Sequence, residues 1–312
     1  MTATSSSGWK ILAAALGLCL ASPDANVAAQ ICGPRSRTAP AVRDSMLVDA
    51  DWLRQHLEDP GVVILHVDQD RTEYDGGHLP GARFLAYSSY TETREGLLVE
   101  LPPVDRLVPL LESVGITNES RVVIYGNRLG ATRLFFTLDY LGHGDRAALF
   151  DGGLEAWRAR GFPLSREAPS VQPGRFTPSQ RPEVVANAEW VRARLEDSAV
   201  AILDTRTAEE YRGEREEEGV TRPGHIPGAK NLDWTTTLLD GRLKSPTILR
   251  QLLEDAGVPA GREVVSYCRV GTRASMLYFV ARYLGYRARL YDGSMTDWSQ
   301  RAEQPVKRGA AP

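Results

Sequence analysis

This chain contains itself twice, and that repetition limits its fold more than any single motif. Gly77-His78-Leu79-Pro80-Gly81-Ala82 returns as Gly224-His225-Ile226-Pro227-Gly228-Ala229, and Val122-Val123-Ile124-Tyr125 returns as Val264-Val265-Ser266-Tyr267. Asp151-Gly152-Gly153 with Trp157 returns as Asp292-Gly293-Ser294 with Trp298, and Ile64-Leu65 as Ile202-Leu203. The order is the same in both halves and the offset stays roughly 140 residues throughout. Two copies of one unit are therefore expected, in keeping with a length of 312 residues.

Each half alternates short apolar runs with helical spacing. In the second half, 199–204 reads as a strand, 208–211 opens a short helix and 229–232 is a second strand. Residues 248–256 have helical spacing, and Glu263–Tyr267 and Ala288–Tyr291 read as further strands. Short buried strands separated by helices predict an α/β fold in which each unit is a parallel sheet flanked by helices on both faces. The stretch 164–182 is rich in Pro, Ser, Gln and Arg and has no periodicity, as a linker would. The expected division is 42–163 for the first domain, 164–183 for the linker and 184–302 for the second, with the last ten residues a disordered tail.

Within this frame one residue carries chemistry. The run Val264-Val265-Ser266-Tyr267 leads into Cys268, followed by Arg269-Val270-Gly271-Thr272-Arg273 and then a helical pattern through Met276-Leu277-Tyr278-Phe279-Val280. A cysteine between a strand and a helix N-terminus sits among unpaired amides and partial positive charge. Such a loop can form an anion nest, and its arginines add full charges, a setting that favours a reactive thiolate. Gly271 would relieve crowding where the backbone curls. Ligands of parallel sheets bind at the carboxyl ends of strands, where Cys268 falls.

The net charge of −3 gives no ground for a nucleic-acid or anionic-membrane partner. Lys10 is the only charged residue before Asp24; an apolar stretch at 11–21 and Val27-Ala28-Ala29 follow it. Residues 1–29 therefore read as an export signal, too short in its apolar part to span a bilayer, and the protein as periplasmic or secreted. No membrane span is expected elsewhere. Cys19 would leave with the signal, so Cys32 and Cys268 would remain, which make neither a disulfide framework nor a metal site. No metal or cofactor is expected.

The Gly-His-Ile-Pro-Gly-Ala turn, Asp204-Thr205-Arg206 at a strand end, the Cys268 loop, and Tyr291-Asp292-Gly293-Ser294 with Trp298 together resemble the tandem-domain rhodaneses, the thiosulfate sulfurtransferases. The resemblance spans nearly the whole mature chain. It implies that Cys268 takes sulfane sulfur from thiosulfate, releases sulfite and passes the sulfur from its persulfide to a thiophilic acceptor such as cyanide or a thiol. It further implies that Arg269, Val270, Gly271, Thr272 and Arg273 bind substrate, that Arg206 either joins them or forms a buried ion pair with Asp204 that shapes the site, that Asp204 and His225 support the site, and that the protein is a monomer serving small-molecule substrates. The spacing Cys-x4-Arg is one residue shorter than the Cys-x5-Arg of cysteine phosphatases and suits a persulfide better than a phosphoryl group. Gly126 stands where Cys268 stands, so the first half reads as inactive and as a wall of the cleft.

Two departures bear on the substrate. Many relatives carry a binding arginine where this chain has Glu210, and some carry lysine where it has Val270. Alternatives within reach of the same loop are a 3-mercaptopyruvate sulfurtransferase and a sulfane-sulfur carrier or redox sensor. His78 and His225 occur in both halves while the cysteine occurs in one, so both histidines are read as structural. Arg128 and Arg133 are read as solvated surface near the cleft, or else as a source of positive potential in it. The charged run 212–218, present only in the second half, is read as an inserted solvated loop that could receive an acceptor protein.

Overall fold

The computed structural model describes residues 39–312. The expectations for the export signal, Cys19 and Cys32 lie outside these residues. The first half comprises β1 (Leu47–Val48), α1 (Ala50–Gln55), β2 (Val62–Asp68), α2 (Thr72–Gly76), β3 (Arg83–Ala86), the hairpin β4 (Glu92–Arg94) and β5 (Leu97–Glu100), α3 (Val104–Ser113), β6 (Arg121–Gly126), α4 (Arg128–Tyr140), β7 (Ala147–Phe150) and α5 (Gly153–Ala159). The second repeats the series: β8 (Val185–Ala186), α6 (Ala188–Arg192), β9 (Val200–Asp204), α7 (Ala208–Arg212), β10 (Lys230–Asn231), the hairpin β11 (Leu238–Leu239) and β12 (Arg242–Leu243), α8 (Pro246–Asp255), β13 (Glu263–Tyr267), α9 (Thr272–Tyr283), β14 (Ala288–Tyr291) and α10 (Ser294–Gln300).

Each half holds one five-stranded sheet, β1-β7-β6-β2-β3 and β8-β14-β13-β9-β10, and all pairings within them are parallel. The order is the same in both, as the repeated motifs require. The fold is α/β with two such units. Successive residues of a strand face opposite sides of its sheet. In β2, Val63, Leu65 and Val67 thus enter one core and Ile64 another. In β13, Val264 faces the first of these cores, while Val265 and Tyr267 face a third.

The shared core joins the two halves. Helices α4 and α9 pack on each other between the sheets, which is why α9 is buried on almost every side. Phe135 meets Phe279 edge to face at 4.9 Å and Phe136 meets Tyr278 at 5.0 Å. Polar groups fix the register. Tyr278 donates to Asp139 at 2.6 Å, Thr132 and Ser275 share a hydrogen bond, and Arg133 of the first half pairs with Asp292 of the second.

The end of the chain departs from the expected tail. Lys307 pairs with His225 as a β-bridge, Gln304 is buried, and the indole of Trp298 donates to the Pro305 carbonyl. The first half does the same with the segment read as a linker: Ser165 bridges His78 and Trp157 donates to the Pro163 carbonyl. Each Gly-His turn leaves backbone groups that its own half closes with the segment following its last helix. Polar, proline-containing composition hides this role, because the contacts are made by the main chain.

Candidate active site

Strand β13 is a buried β-branched and aromatic run held between β9 and β14. It delivers Cys268 to its carboxyl end, and the side chain is fully buried and, among the described residues, unpaired as a thiol. Two bonds from the start of α10 pin this end. The Cys268 amide donates to Ser294 Oγ at 3.1 Å, and the Met295 amide donates to the Cys268 carbonyl at 3.0 Å. Ser294 holds φ +52°, a left-handed conformation that a non-glycine residue adopts at some cost. Its hydroxyl also donates to the Tyr291 carbonyl.

The loop then turns through Gly271, at φ +85°. A β-carbon there would lie 2.6 Å from Asp292 Oδ1, so both backbone angle and space call for glycine. No side chain caps α9, which leaves its first amides directed at whatever the loop encloses. Thr272 shares a 2.8 Å hydrogen bond with Tyr87 of the first half. Burial raises the Tyr87 phenol, keeping it neutral beside the loop.

Cys268, Arg269, Val270, Thr272 and Arg273 line one cavity of about 460 Å³, together with Leu129 of the first half. The remaining lining is Glu210, Arg215, Glu216, Glu217 and Glu218. Burial lowers the affinity of Arg273 for its proton, and the neighbouring Cys268, followed by the hydrogen bond to Glu210, more than reverses this, so the guanidinium is firmly charged.

Several expected roles change. Arg206, read either as half of a buried ion pair with Asp204 or as a substrate ligand, makes the pair and does not line the cavity. It lies buried in ion pairs with Asp204 and Glu217, and its Nη2 donates to the Gly224 carbonyl at 2.7 Å. A guanidinium this deep would desolvate unpaired, and adjacent carboxylates satisfy it instead. The 212–218 run is not simply solvated: the Glu217 side chain is buried and bridges Arg206 and Arg273. Arg273 also donates to Glu210 at 2.7 Å, which in turn accepts from the Thr207 amide to close a capping box on α7. Burial, followed by the adjoining Glu210, raises the Glu217 carboxyl, while for Glu210 the contacts with Glu217 and Arg273 outweigh burial and hold it at about 2.

Arg128 and Arg133 are not solvated either. Arg128 donates to the Gly241 carbonyl across the interface at 2.6 Å, and Arg133 is fully buried against Asp292. Sequence reasoning missed Arg133, Asp292, Ser294, Tyr87 and Glu217 as parts of this site. The repeated Asp-Gly-Ser/Gly motif pointed at two of them. His225 stacks on Tyr211 at 3.8 Å, and its ring nitrogens face the carbonyls of Tyr211 and Ala311 at 2.9 and 3.1 Å. His78 repeats the stack on Tyr74 at 3.7 Å.

Gly126 occupies the position of Cys268 in the first half, opposite Val67 in the sheet. A β-carbon there would run into the Val67 carbonyl and reach within 3.0 Å of His66, at φ +105°. The first half therefore lacks both the nucleophile and the room for one. Among the described residues no helix is long and apolar enough to cross a membrane.

Residues 49–160 and 187–301 each match the family model described as a Rhodanese-like domain. The sulfur carrier protein TtuD of Thermus thermophilus is 37% identical, over 85% of this chain and 97% of its own. A thiosulfate sulfurtransferase of Azotobacter vinelandii is 32% identical, over 84% and 97%. Among solved structures, the anaerobic ergothioneine biosynthesis enzyme of Chlorobium limicola, in complex with trimethyl histidine, superposes with a TM-score of 0.74. Its identity is 25%, over 85% of this chain and 70% of its own.

Proposed function

The chain belongs to the rhodanese family as a tandem-domain member, and from that premise we propose that it is a thiosulfate sulfurtransferase working through a persulfide on Cys268. The observation that carries this reading is one free thiol at the carboxyl end of a central strand, facing a cavity at the uncapped start of α9. Sulfurtransferase chemistry follows from the family; thiosulfate as donor is the finer part of the proposal.

In the first step the Cys268 thiolate attacks the sulfane sulfur of thiosulfate. A new S–S bond forms, the bond to the sulfonate sulfur breaks, and sulfite leaves with the electron pair. In the second, a thiophilic acceptor attacks the outer sulfur of the persulfide and Cys268 leaves as thiolate. No net oxidant is needed. The amides of 269–273 face the sulfur anion in both steps, and fixed dipoles of this kind stabilise charge without reorganising. Arg269 and Arg273 would receive the sulfonate end. The first half contributes no reacting group and holds the loop through Tyr87 and Arg133.

A second reading, a sulfur carrier that hands the persulfide to a protein partner, is favoured by the kinship with a protein named as such. Thiocyanate formation from thiosulfate and cyanide, with Cys268→Ser alongside, tests the first reading. Turnover in the wild type and none in the variant is the expected result. A stable mass gain of about 32 Da on Cys268 without turnover would instead mark a carrier. Export is part of the proposal, read from residues 1–29, and the N-terminus of the protein recovered from its host checks it.

A further inference from the structure

The cavity around Cys268 carries more negative than positive groups, four carboxylates against three guanidiniums. That is unexpected for a site that must admit a dianion. The arrangement of these charges matters more than their number. Arg273 spends Nη1 on Glu210 at 2.7 Å and Nη2 on Glu217 at 3.0 Å. Glu217 is itself anchored from beneath by Arg206, so it cannot swing away without exposing a buried guanidinium. Arg269 donates to the Glu218 carbonyl at 3.0 Å, on the same loop. Both arginines of the cysteine loop are thus tied to one acidic segment, and the Glu217 carboxylate occupies the place at Arg273 that an anionic substrate group would take.

We propose that Glu210 and Glu217 set the charge preference of this site, so that the persulfide sulfur passes to a neutral or cationic thiol and anionic thiols are disfavoured. This rests on the persulfide reading given above. The thiolate of the acceptor attacks the outer sulfur of the Cys268 persulfide, the new bond gives the acceptor persulfide, and Cys268 is released as thiolate. What differs between acceptors is the charge on the rest of the molecule, which must enter beside Glu210, Glu216, Glu217 and Glu218. By the same argument thiosulfate is a donor of weak affinity, because it competes with Glu217 for Arg273.

The test uses the full mature chain, loaded with sulfur from inorganic polysulfide and checked for the persulfide by mass. Three thiols of similar size then serve as acceptors: cysteamine, 2-mercaptoethanol and 3-mercaptopropionate, each rate corrected for its thiolate fraction and intrinsic nucleophilicity. The expected order is cationic, neutral, anionic, spanning roughly tenfold in kcat/KM at low salt and shrinking in 0.5 M salt. In Glu210→Gln/Glu217→Gln the spread should fall below about twofold and the KM for thiosulfate should drop about tenfold. Glutamine keeps the shape and can still accept the Thr207 amide at position 210.

The wild-type series stands even where the variant folds poorly. An anionic thiol reacting as fast as the cationic one, or an unchanged spread in a folded variant, overturns the inference while leaving the persulfide cycle intact. If Cys268 takes up no sulfur from polysulfide or thiosulfate, the reading falls and the inference falls with it.

Discussion

Replacing Arg133 by methionine should damage the site from the far side of the domain interface. Arg133 is fully buried, and the Asp292 side chain it faces is 6% exposed. The Asp292 carboxylate accepts from both terminal nitrogens of Arg133, one at 2.9 Å, and from the Leu101 amide at 3.0 Å. Arg133→Met removes two charge-assisted bonds and leaves a dehydrated carboxylate with one amide, beside Glu100, whose carboxyl already resists ionisation. Breaking a buried pair from one side costs roughly 3–5 kcal/mol, most of it the desolvated charge left behind. At about 2–3 °C per kcal/mol for a unit of this size, the melting midpoint should fall by roughly 6–15 °C. Asp292 is also the wall against which Gly271 turns, so sulfur transfer should fall at least about tenfold with Cys268 intact. Arg133→Met/Asp292→Leu, which removes both charges, should recover most of the stability and little of the activity. Thermal unfolding and thiocyanate formation read the two effects. A loss below about 1 kcal/mol with full activity would refute the claim that the pair holds the loop.

Other perturbations separate the roles of particular residues. Burial, followed by the charge of Asp292, pushes the Glu100 carboxyl up to about 7, above its unfolded value. Its protonated form therefore favours folding at low pH, and that contribution is lost as pH rises from about 4.5 through 7. Glu100→Gln should then stabilise by about 3 kcal/mol at pH 8 and by nothing at pH 4, read by denaturant titration at both. Gly271→Ala should abolish turnover, since its β-carbon would sit 2.6 Å from Asp292 Oδ1 at φ +85°; wild-type kcat would contradict the loop geometry. Gly126→Cys should destabilise by about 2–4 kcal/mol and take up no sulfur at position 126, by peptide mass mapping. Ending the chain before Gln304 removes the paired bonds between His225 and Lys307 and the Pro305 acceptor of Trp298. At about 1 kcal/mol per bond, these three alone should lower stability by about 3 kcal/mol, and an unchanged melting midpoint would show the segment to be a dispensable tail.

Much of this molecule was legible as pattern. The repeat predicted two like sheets, and the two share one strand order. Glu263–Tyr267 and Ala288–Tyr291 read as strands because they are short apolar or aromatic runs set between helical patterns, and both are strands. The two-residue strands β1 and β8 carry no such signal and exist only because β7 and β14 offer an edge. The hairpins β4–β5 and β11–β12 escaped for the same reason.

The sequence by itself determined where the candidate thiol stands: one cysteine at a strand end, before a glycine turn and a helix start, with a duplicate half that has glycine instead. Those features are local, and local backbone preferences and residue types suffice to state them. Tertiary structure decided most of the charges around that cysteine, the Asp204–Arg206 pair being the one that neighbours along the chain already suggest. Arginines at 133, 206 and 273 look alike along the chain, yet one closes the domain interface, one is buried under the site and one is held by two carboxylates at its edge. The partners lie 159 residues away for Arg133, 2 and 11 for Arg206, and 63 and 56 for Arg273. Electrostatic interaction depends on distance and burial in space, and no reading of neighbours along the chain supplies either.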